Sequence, residues 1–397
     1  MMRYIDQLLQ GAEVEWKKLG EVAELRRGRV ISKGYLNENA GLYPVYSSQT
    51  ENMGEIGRIR TFDFDQESIT WTTDGAKAGT VFHRKGRFSI TNVCGLIKIR
   101  DIQVISYRYL YYWLSIEAKK HVYSGMGNPK LMSNQVERIP IPIPPLHVQQ
   151  EIVRILDKFT ELETELETEL ELRKQQYEHY RDQLLAPDKG LAETEVKWKK
   201  LGEVAEIYGG LTGKTKADFE NGNALFVPYK NIYENYEVNA KELAYVKVSD
   251  DEKQYKVEYG DVLFTGSSET VEEVAYSSAV TVHFEEAVYL NSFSFGVRFH
   301  KEIELIPEFS KHLFRGVGMR KQLKKTASGV TRFNVSKKRF KHILIPIPPL
   351  HVQQRIVSLL DKFHTLTTSI SEGLPREIEL RKQQYAYYRD QLLSFER

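Results

Sequence analysis

The sequence predicts an α+β protein in which two similar α/β units alternate with two long coiled-coil helical segments about a pseudo-twofold. Three observations carry this. The ten residues 141–150, IPIPPLHVQQ, return unchanged at 345–354, and ELRKQQY (171–177 and 379–385) and YRDQLL (180–185 and 388–393) follow both copies. Each segment between repeats has several short strand-like runs ahead of a helix-like run. Each proline-rich block leads into a long apolar seam with steps of three and four. Repetition on this scale decides the architecture before local propensity does, and 397 residues suit two domains better than one core.

Taken in order, residues 1–15 are a partial repeat. Tyr4, Asp6, Gln7, Leu8 and Leu9 match Tyr180, Asp182, Gln183, Leu184 and Leu185, so the chain opens on the end of a repeat and forms a near-closed cycle. WKKLGEVAE at 16–24 recurs at 198–206 and opens each unlike unit, giving units at 16–140 and 198–344. In the first, the runs at 69–71, 80–83, 88–90 and 96–99 are rich in β-branched and aromatic residues, which reads as strands. Ile105, Tyr109, Tyr112 and Ile116 give helical spacing across 104–120. The second unit repeats the order, with strands at 261–265, 280–284 and 293–299 and a helix near 307–323.

Residues 141–197 and 345–397 are the helical segments. Their prolines lack an N–H donor and push the preceding residue to extended geometry, so each begins extended and then seeds a helix. In the first, Ile152, Ile155, Phe159, Leu162, Leu166 and Leu170 form a seam that Tyr177, Tyr180 and Leu184 continue, roughly 50–60 Å of helix. In the second, Ile356, Leu359, Phe363, Leu366 and Ile370 begin the seam and Tyr385, Tyr388 and Leu392 end it. Between them lies SEGLP, where Gly373 suits a helix C-terminus and Pro375 a new first turn. The second copy has 15 residues between its Phe and ELRKQQY against 11 in the first, and four extra residues are about one turn.

The formal net charge is +2, but its distribution is uneven. Residues 310–344 hold no acid, yet carry Lys311, Arg315, Arg320, Lys321, Lys324, Lys325, Arg332, Lys337, Lys338, Arg339 and Lys341. Residues 75–100 repeat the pattern with Lys77, Arg84, Lys85, Arg87, Lys98 and Arg100, whereas 161–171 is rich in glutamate. Positive charge thus belongs to the unlike units and negative charge to the repeats. The single cysteine, Cys94, forms no internal disulfide, and no cysteine and histidine cluster has metal-ligand spacing. No apolar run reaches signal-peptide or membrane-span length, so a cytoplasmic protein without a metal site is expected.

Several patterns suggest an enzyme and fail on spacing. GGLTGKT at 209–215 lacks the first glycine of a phosphate loop, because Tyr208 stands there, and reads instead as a turn. Pro187, Asp188, Glu195 and Lys197 spell a nuclease-like pair, but in a polar linker. His147 and His351 have no nucleophile or carboxylate at a catalytic spacing, which leaves capping or packing at the helix entry. Neither a glycine loop of the S-adenosylmethionine type nor an Asp/Asn-Pro-Pro-aromatic signature is present. No catalytic residue is assigned.

A binding constellation remains. In the first unit it comprises Ser47, Ser48 and Gln49 after a short apolar run, Thr72, Thr73 and Lys77 between two strands, and the basic Arg84 and Lys85. In the second it comprises Lys230 and Asn231, then Thr265, Ser267 and Ser268, and, in the basic run, Lys321, Lys324, Lys325, Arg332, Asn334, Lys337 and Lys338. Hydroxyl and amide side chains read base edges and surrounding cations hold phosphates, so double-stranded DNA is the expected ligand.

These repeats resemble the specificity subunits of type I restriction-modification enzymes. The resemblance rests on IPIPPLHVQQ, the LDKF after it, ELRKQQY with YRDQLL, and the WKKLGEVAE opening, and it covers essentially the whole chain. It implies two target recognition domains, each reading half of a bipartite DNA site. It also implies two conserved helical regions, packed antiparallel, that space the halves and dock two modification (methyltransferase) subunits, with restriction subunits joining to make the nuclease. S-adenosylmethionine, ATP and magnesium then belong to those partners and no cofactor to this chain. SEGLP departs from an unbroken helix and puts the course of the second region in question.

Overall fold

The computed structural model describes residues 4–125, 127–186, 191, 195–249, 251–369 and 371–396. Pro187, Asp188 and Ile370, used in the sequence reading, lie outside them. The chain divides into two compact units, residues 1–166 with 378–397, and residues 167–377.

In the first unit a four-stranded antiparallel sheet runs in the order Ala23–Arg27, Cys94–Ile99, Ser68–Thr72, Val81–Arg84. Ser68–Thr72 is buried at every residue, which the β-branched and aromatic residues that follow Ser68 allow. Trp71 lies opposite Gly95 in this sheet, and a Cβ at Gly95 would fall 2.2 Å from the Trp71 ring. Helix Tyr107–Glu117 packs on the sheet, and the Trp71 indole donates to Leu131 O at 2.9 Å. A second sheet orders Glu55–Ile59, Ala40–Tyr46, Arg87–Ile90 and Phe64–Asp65. Ala40–Tyr46 escapes sequence reading because Gly41 and Pro44 look like turn residues; a register shift spans Gly41, a second follows Val45, and Pro44 itself pairs with Arg58.

The second unit repeats the first sheet with different side chains: Ala205–Gly209, Ser294–Phe299, Val262–Thr265, Ser277–Ala279. Gly296 faces Tyr208 as Gly95 faces Trp71. A three-stranded sheet joins Ala244–Val246, Ala224–Val227 and Val288–Leu290, and a small one joins Ser267–Ser268, Phe333–Val335 and Ala327–Ser328. Two expectations change. The strand expected at 280–284 is Ser277–Ala279, because Val280 turns back to exchange backbone bonds with Gly260 and Asp261. The helix expected near 307–323 is two, Pro307–Leu313 and Val317–Lys324, parted at Gly316, whose extended backbone caps the second.

The repeats act at the ends of each unit. WKKL pairs antiparallel with the proline block, Trp16 opposite Pro142 and Trp198 opposite Pro346, in two-stranded ribbons where a proline's missing donor is tolerated. The block's glutamine then clamps helix to unit. Gln149 accepts from Ser106 N (3.0 Å) and donates to Val104 O (2.8 Å) and Pro144 O (2.9 Å). Gln353 does the same with Ile306 N, Glu304 O and Pro348 O, and both side chains are fully buried. His147 and His351 are instead exposed, so the packing role expected of them falls to the glutamines two positions on.

Helix Leu146–Leu184 has 39 residues, and the division between units falls inside it. In the first unit Phe159 stacks on Tyr388 at 5.3 Å and Glu163 pairs with Lys382 at 3.4 Å, an antiparallel match of LDKF with YRDQLL. In the second unit Phe363 stacks on Tyr180 at 5.5 Å, the same pairing drawn from the other copies. The second helical segment breaks into Leu350–Thr368 and Leu374–Leu392. Gly373 does not close the former: its carbonyl accepts from Arg376 N and opens the latter, with Pro375 in the first turn as expected. Leu360 rather than Leu359 is buried, since i+4 from Ile356 keeps to one helix face.

Candidate nucleic-acid interface

In the first unit the loop after Ala40–Tyr46 carries Ser47, Ser48 and Gln49. Ser47 accepts from Thr91 at 2.9 Å, and Gln49, exposed, donates to Glu55 O at 2.6 Å. The loop continues through Asn52 and Met53, both with positive φ (47° and 52°). Such backbone persists in residues with a Cβ only when its surroundings enforce it. Arg84 enforces it here. Its side chain is buried, lies 3.6 Å from the Tyr46 ring centre, and donates to Thr70 Oγ1 and Met53 O. Burial lowers its pKa. Arg84 is therefore a post beneath the loop rather than the phosphate contact expected from its charge. Thr72 and Thr73 are fully buried as well: Thr72 donates to Lys77 O (2.6 Å) and Thr73 to Val93 O (2.9 Å). They shape the loop and leave Lys77, with Lys85, exposed at the surface.

In the second unit the same sorting occurs. Asn231 is buried and bonded to Asn239 and Glu242, and Thr265 is buried and accepts from Tyr276 N. Neither can reach a base edge, for burial has committed their polar groups to backbone partners. Lys230 is exposed beside Glu234 (3.7 Å). Arg315 and Arg320 of the acid-free run are structural too. Arg315 donates to Ser277, Ile232, Tyr233 and Asn235 carbonyls, and Arg320 to Ala275, Val274 and Glu272 carbonyls. Burial lowers the pKa of both, that of Arg320 to about 10. Lys311 pairs with Asp361 at 2.8 Å. What remains exposed is Lys321, Lys325, Arg332, Asn334, Lys337, Lys338, Arg339 and Lys341, with Lys324 half-buried against Glu272.

Ser267 and Ser268 are nearly buried at the wall of a 560 Å³ cleft, together with Tyr229, Tyr233, Glu269, Glu273, Thr331 and Arg332. Arg332 donates its Nε to Ser267 Oγ (3.2 Å), and Tyr229 donates to Ser267 O (2.7 Å). Tyr233 donates to Glu273 at 2.6 Å, which raises the phenol to about 12 and lowers the carboxyl. The phosphate-loop likeness dissolves: Lys214 is buried against Glu252 at 2.6 Å, in the turn expected there. Of the nuclease-like set, the described members are Glu195, exposed, and Lys197, which opens the strand Lys197–Lys200.

Two family-model matches to the type I restriction modification DNA specificity domain span residues 12–172 and 193–380. The chain belongs to the type I restriction-modification specificity family. It is 33% identical over 425 residues to the specificity subunit of the Escherichia coli type I restriction enzyme EcoR124I/EcoR124II, covering 99% of this chain and 97% of that one. A Mycoplasma pneumoniae protein named as a type I specificity subunit is 32% identical over 384 residues, with 96% and 98% covered. Among solved structures, the S subunit of a type I restriction-modification system from M. genitalium shares the fold at TM-score 0.53 and 15% identity, with 98% of each chain covered. A chain solved for complex assembly and conformational transition of the type I R-M system shares it at TM-score 0.59 and 16% identity, over 96% and 98%.

For a type I specificity chain, the unlike loops are the informative surface, and sequence reading found them only in part. Arg27, which ties Thr73 to Asn92 O, was not singled out, nor were Tyr229, Tyr233, Glu269 and Glu273 of the cleft. The available signal was the three glutamates Glu269, Glu272 and Glu273 directly after the polar Thr265, Ser267 and Ser268. No helix among the described residues is long and apolar enough to cross a membrane.

Proposed function

We propose that this chain is the non-catalytic DNA specificity subunit of a type I restriction-modification complex in the cytoplasm. Residues 16–140 and 198–344 are its two target recognition domains, each taking one half of a bipartite site. Residues 141–197 and 345–397, with the partial repeat at 1–15, are the spacer and the docking surface for two modification subunits, with restriction subunits joining them. Supporting this reading is one observation: the same ribbon, glutamine clamp and Phe–Tyr stack frame both units, while the loops they present differ. Like frames suit two copies of one partner, and unlike loops suit two unlike half-sites. S-adenosylmethionine, ATP and magnesium are assigned to the partner subunits.

The test is co-expression with the cognate modification subunit and mapping of genomic methylation. A split motif is expected, and exchange of residues 16–140 for another recognition domain should alter one half alone. A continuous motif, or a change in both halves, refutes the proposal. Methyl transfer or cleavage by the isolated chain would refute its non-catalytic part.

A further inference from the structure

We infer that Arg332 and Glu269 together read a G·C pair in the half-site taken by residues 198–344, Arg332 through guanine O6 and N7 and Glu269 through the cytosine amino group. The inference rests on the proposed DNA-reading function and deepens it. Arg332 leaves the tight loop between Ala327–Ser328 and Phe333–Val335, where Gly329 has φ 132° and Val330 is 90% exposed. These two strands are a hairpin at the edge of the small three-stranded sheet, and a hairpin of two strands is an element that the major groove admits. The Arg332 Nε is braced on Ser267, and among the described residues nothing else bonds its guanidinium. The planar fork is thus held in direction with its terminal nitrogens open, the geometry that takes guanine in two parallel bonds.

Glu269 is the less expected half. It is exposed, lines the same cleft, and has no hydrogen bond or ion pair among the described residues, Arg332 included. Glu273, in contrast, is engaged by Tyr233 and Thr270. An open carboxylate on the same cleft wall as Glu273 opposes phosphate binding, since it repels that anion. Against a base edge the same group is an acceptor without a donor, and it selects the exocyclic amino group that cytosine presents in the major groove. Arg for guanine and Glu for cytosine, from one cleft, match the two ends of one pair.

The test uses the full chain with its modification subunits and reads methylation across a genome. Wild type should give a split motif with a G·C pair in the half set by residues 198–344. Glu269→Gln should relax that cytosine and Arg332→Ala that guanine, each by about 5- to 150-fold in preference, with the other half and the spacing unchanged. In synthetic duplexes, 7-deazaguanine at that position should weaken binding of wild type but not of Arg332→Ala. If wild type methylates a split motif and both variants keep its bases, or relax an A·T position, the inference falls and the function stands. Equal loss of methylation at all sites in both variants assigns them a bracing role and also overturns it. If wild type yields no split motif, the function itself falls.

Discussion

Gln149→Leu should loosen the first unit from its helix while leaving the second unit intact. The side chain is fully buried and makes three bonds, to Ser106 N, Val104 O and Pro144 O, at 3.0, 2.8 and 2.9 Å. Leucine is close in volume, so the loss is polar rather than a cavity. At about 1 kcal/mol net per bond, and more for the buried Pro144 carbonyl left unsatisfied, the cost is about 3–5 kcal/mol. About 3 kcal/mol corresponds to roughly a hundredfold rise in local opening, read by hydrogen exchange in Tyr107–Glu117. The equivalent helix Pro307–Leu313, held by Gln353, should exchange as before. Exchange in Tyr107–Glu117 within about threefold of wild type, or equal acceleration in both helices, would refute the clamp.

Further expectations concern acid, packing and loop support. In the second unit burial and the neighbouring Lys311 and His312 charges lower His364 to about 4. A histidine depressed in the fold is protonated more readily when unfolded, so stability is full above its ordinary pKa of 6.5 and falls as pH drops from there to about 4. Asp361 extends the loss: burial opposes its charge, but bonds from His312 and Lys311 bring it to about 2, so its contribution fades below its ordinary 3.8. The urea midpoint of the second unit should therefore drop between pH 7 and 5, about 1.4 kcal/mol per pH unit at most from His364, and His364→Gln should flatten it. Gly95→Ala should lower thermal stability by about 1–3 kcal/mol or more, because the Trp71 ring occupies the Cβ position; a calorimetric melt like wild type would contradict the packing. Arg84→Ala should free the loop at 47–54 and relax the half-site set by residues 16–140 with spacing unaltered, as methylome sequencing would report. Arg84→Lys should not rescue it, since a lysine cannot make both bonds at Thr70 and Met53.

The candidate site was legible only as regions. Thr72 and Gln49 are alike on paper, polar residues beside a strand, yet Thr72 is buried under Lys77 O and Gln49 faces solvent. Charge misled in the same way. Arg84 and Arg320 sit in basic stretches and are buried among carbonyls and tyrosine rings, with Arg315 half-buried in the same way, while Lys337 and Lys338 beyond them stay at the surface. Strands with mixed signals, such as Ala40–Tyr46 with its Gly41 and Pro44, were missed because pairing partners rather than propensity hold them.

The sequence by itself determined the plan: identical blocks fold alike and therefore frame two units alike, while packing rather than periodicity put Leu360 instead of Leu359 on the buried face. Tertiary structure decided which polar groups are spent inside. The same aspartate of LDKF meets Arg108 and Tyr112 in one unit and Lys311 and His312 in the other. That choice depends on what packs against the helix from a segment some fifty residues earlier in the chain, so no local pattern could reveal it. Burial also separated the supporting arginines from the exposed ones, because desolvation acts on position in space and not on residue type.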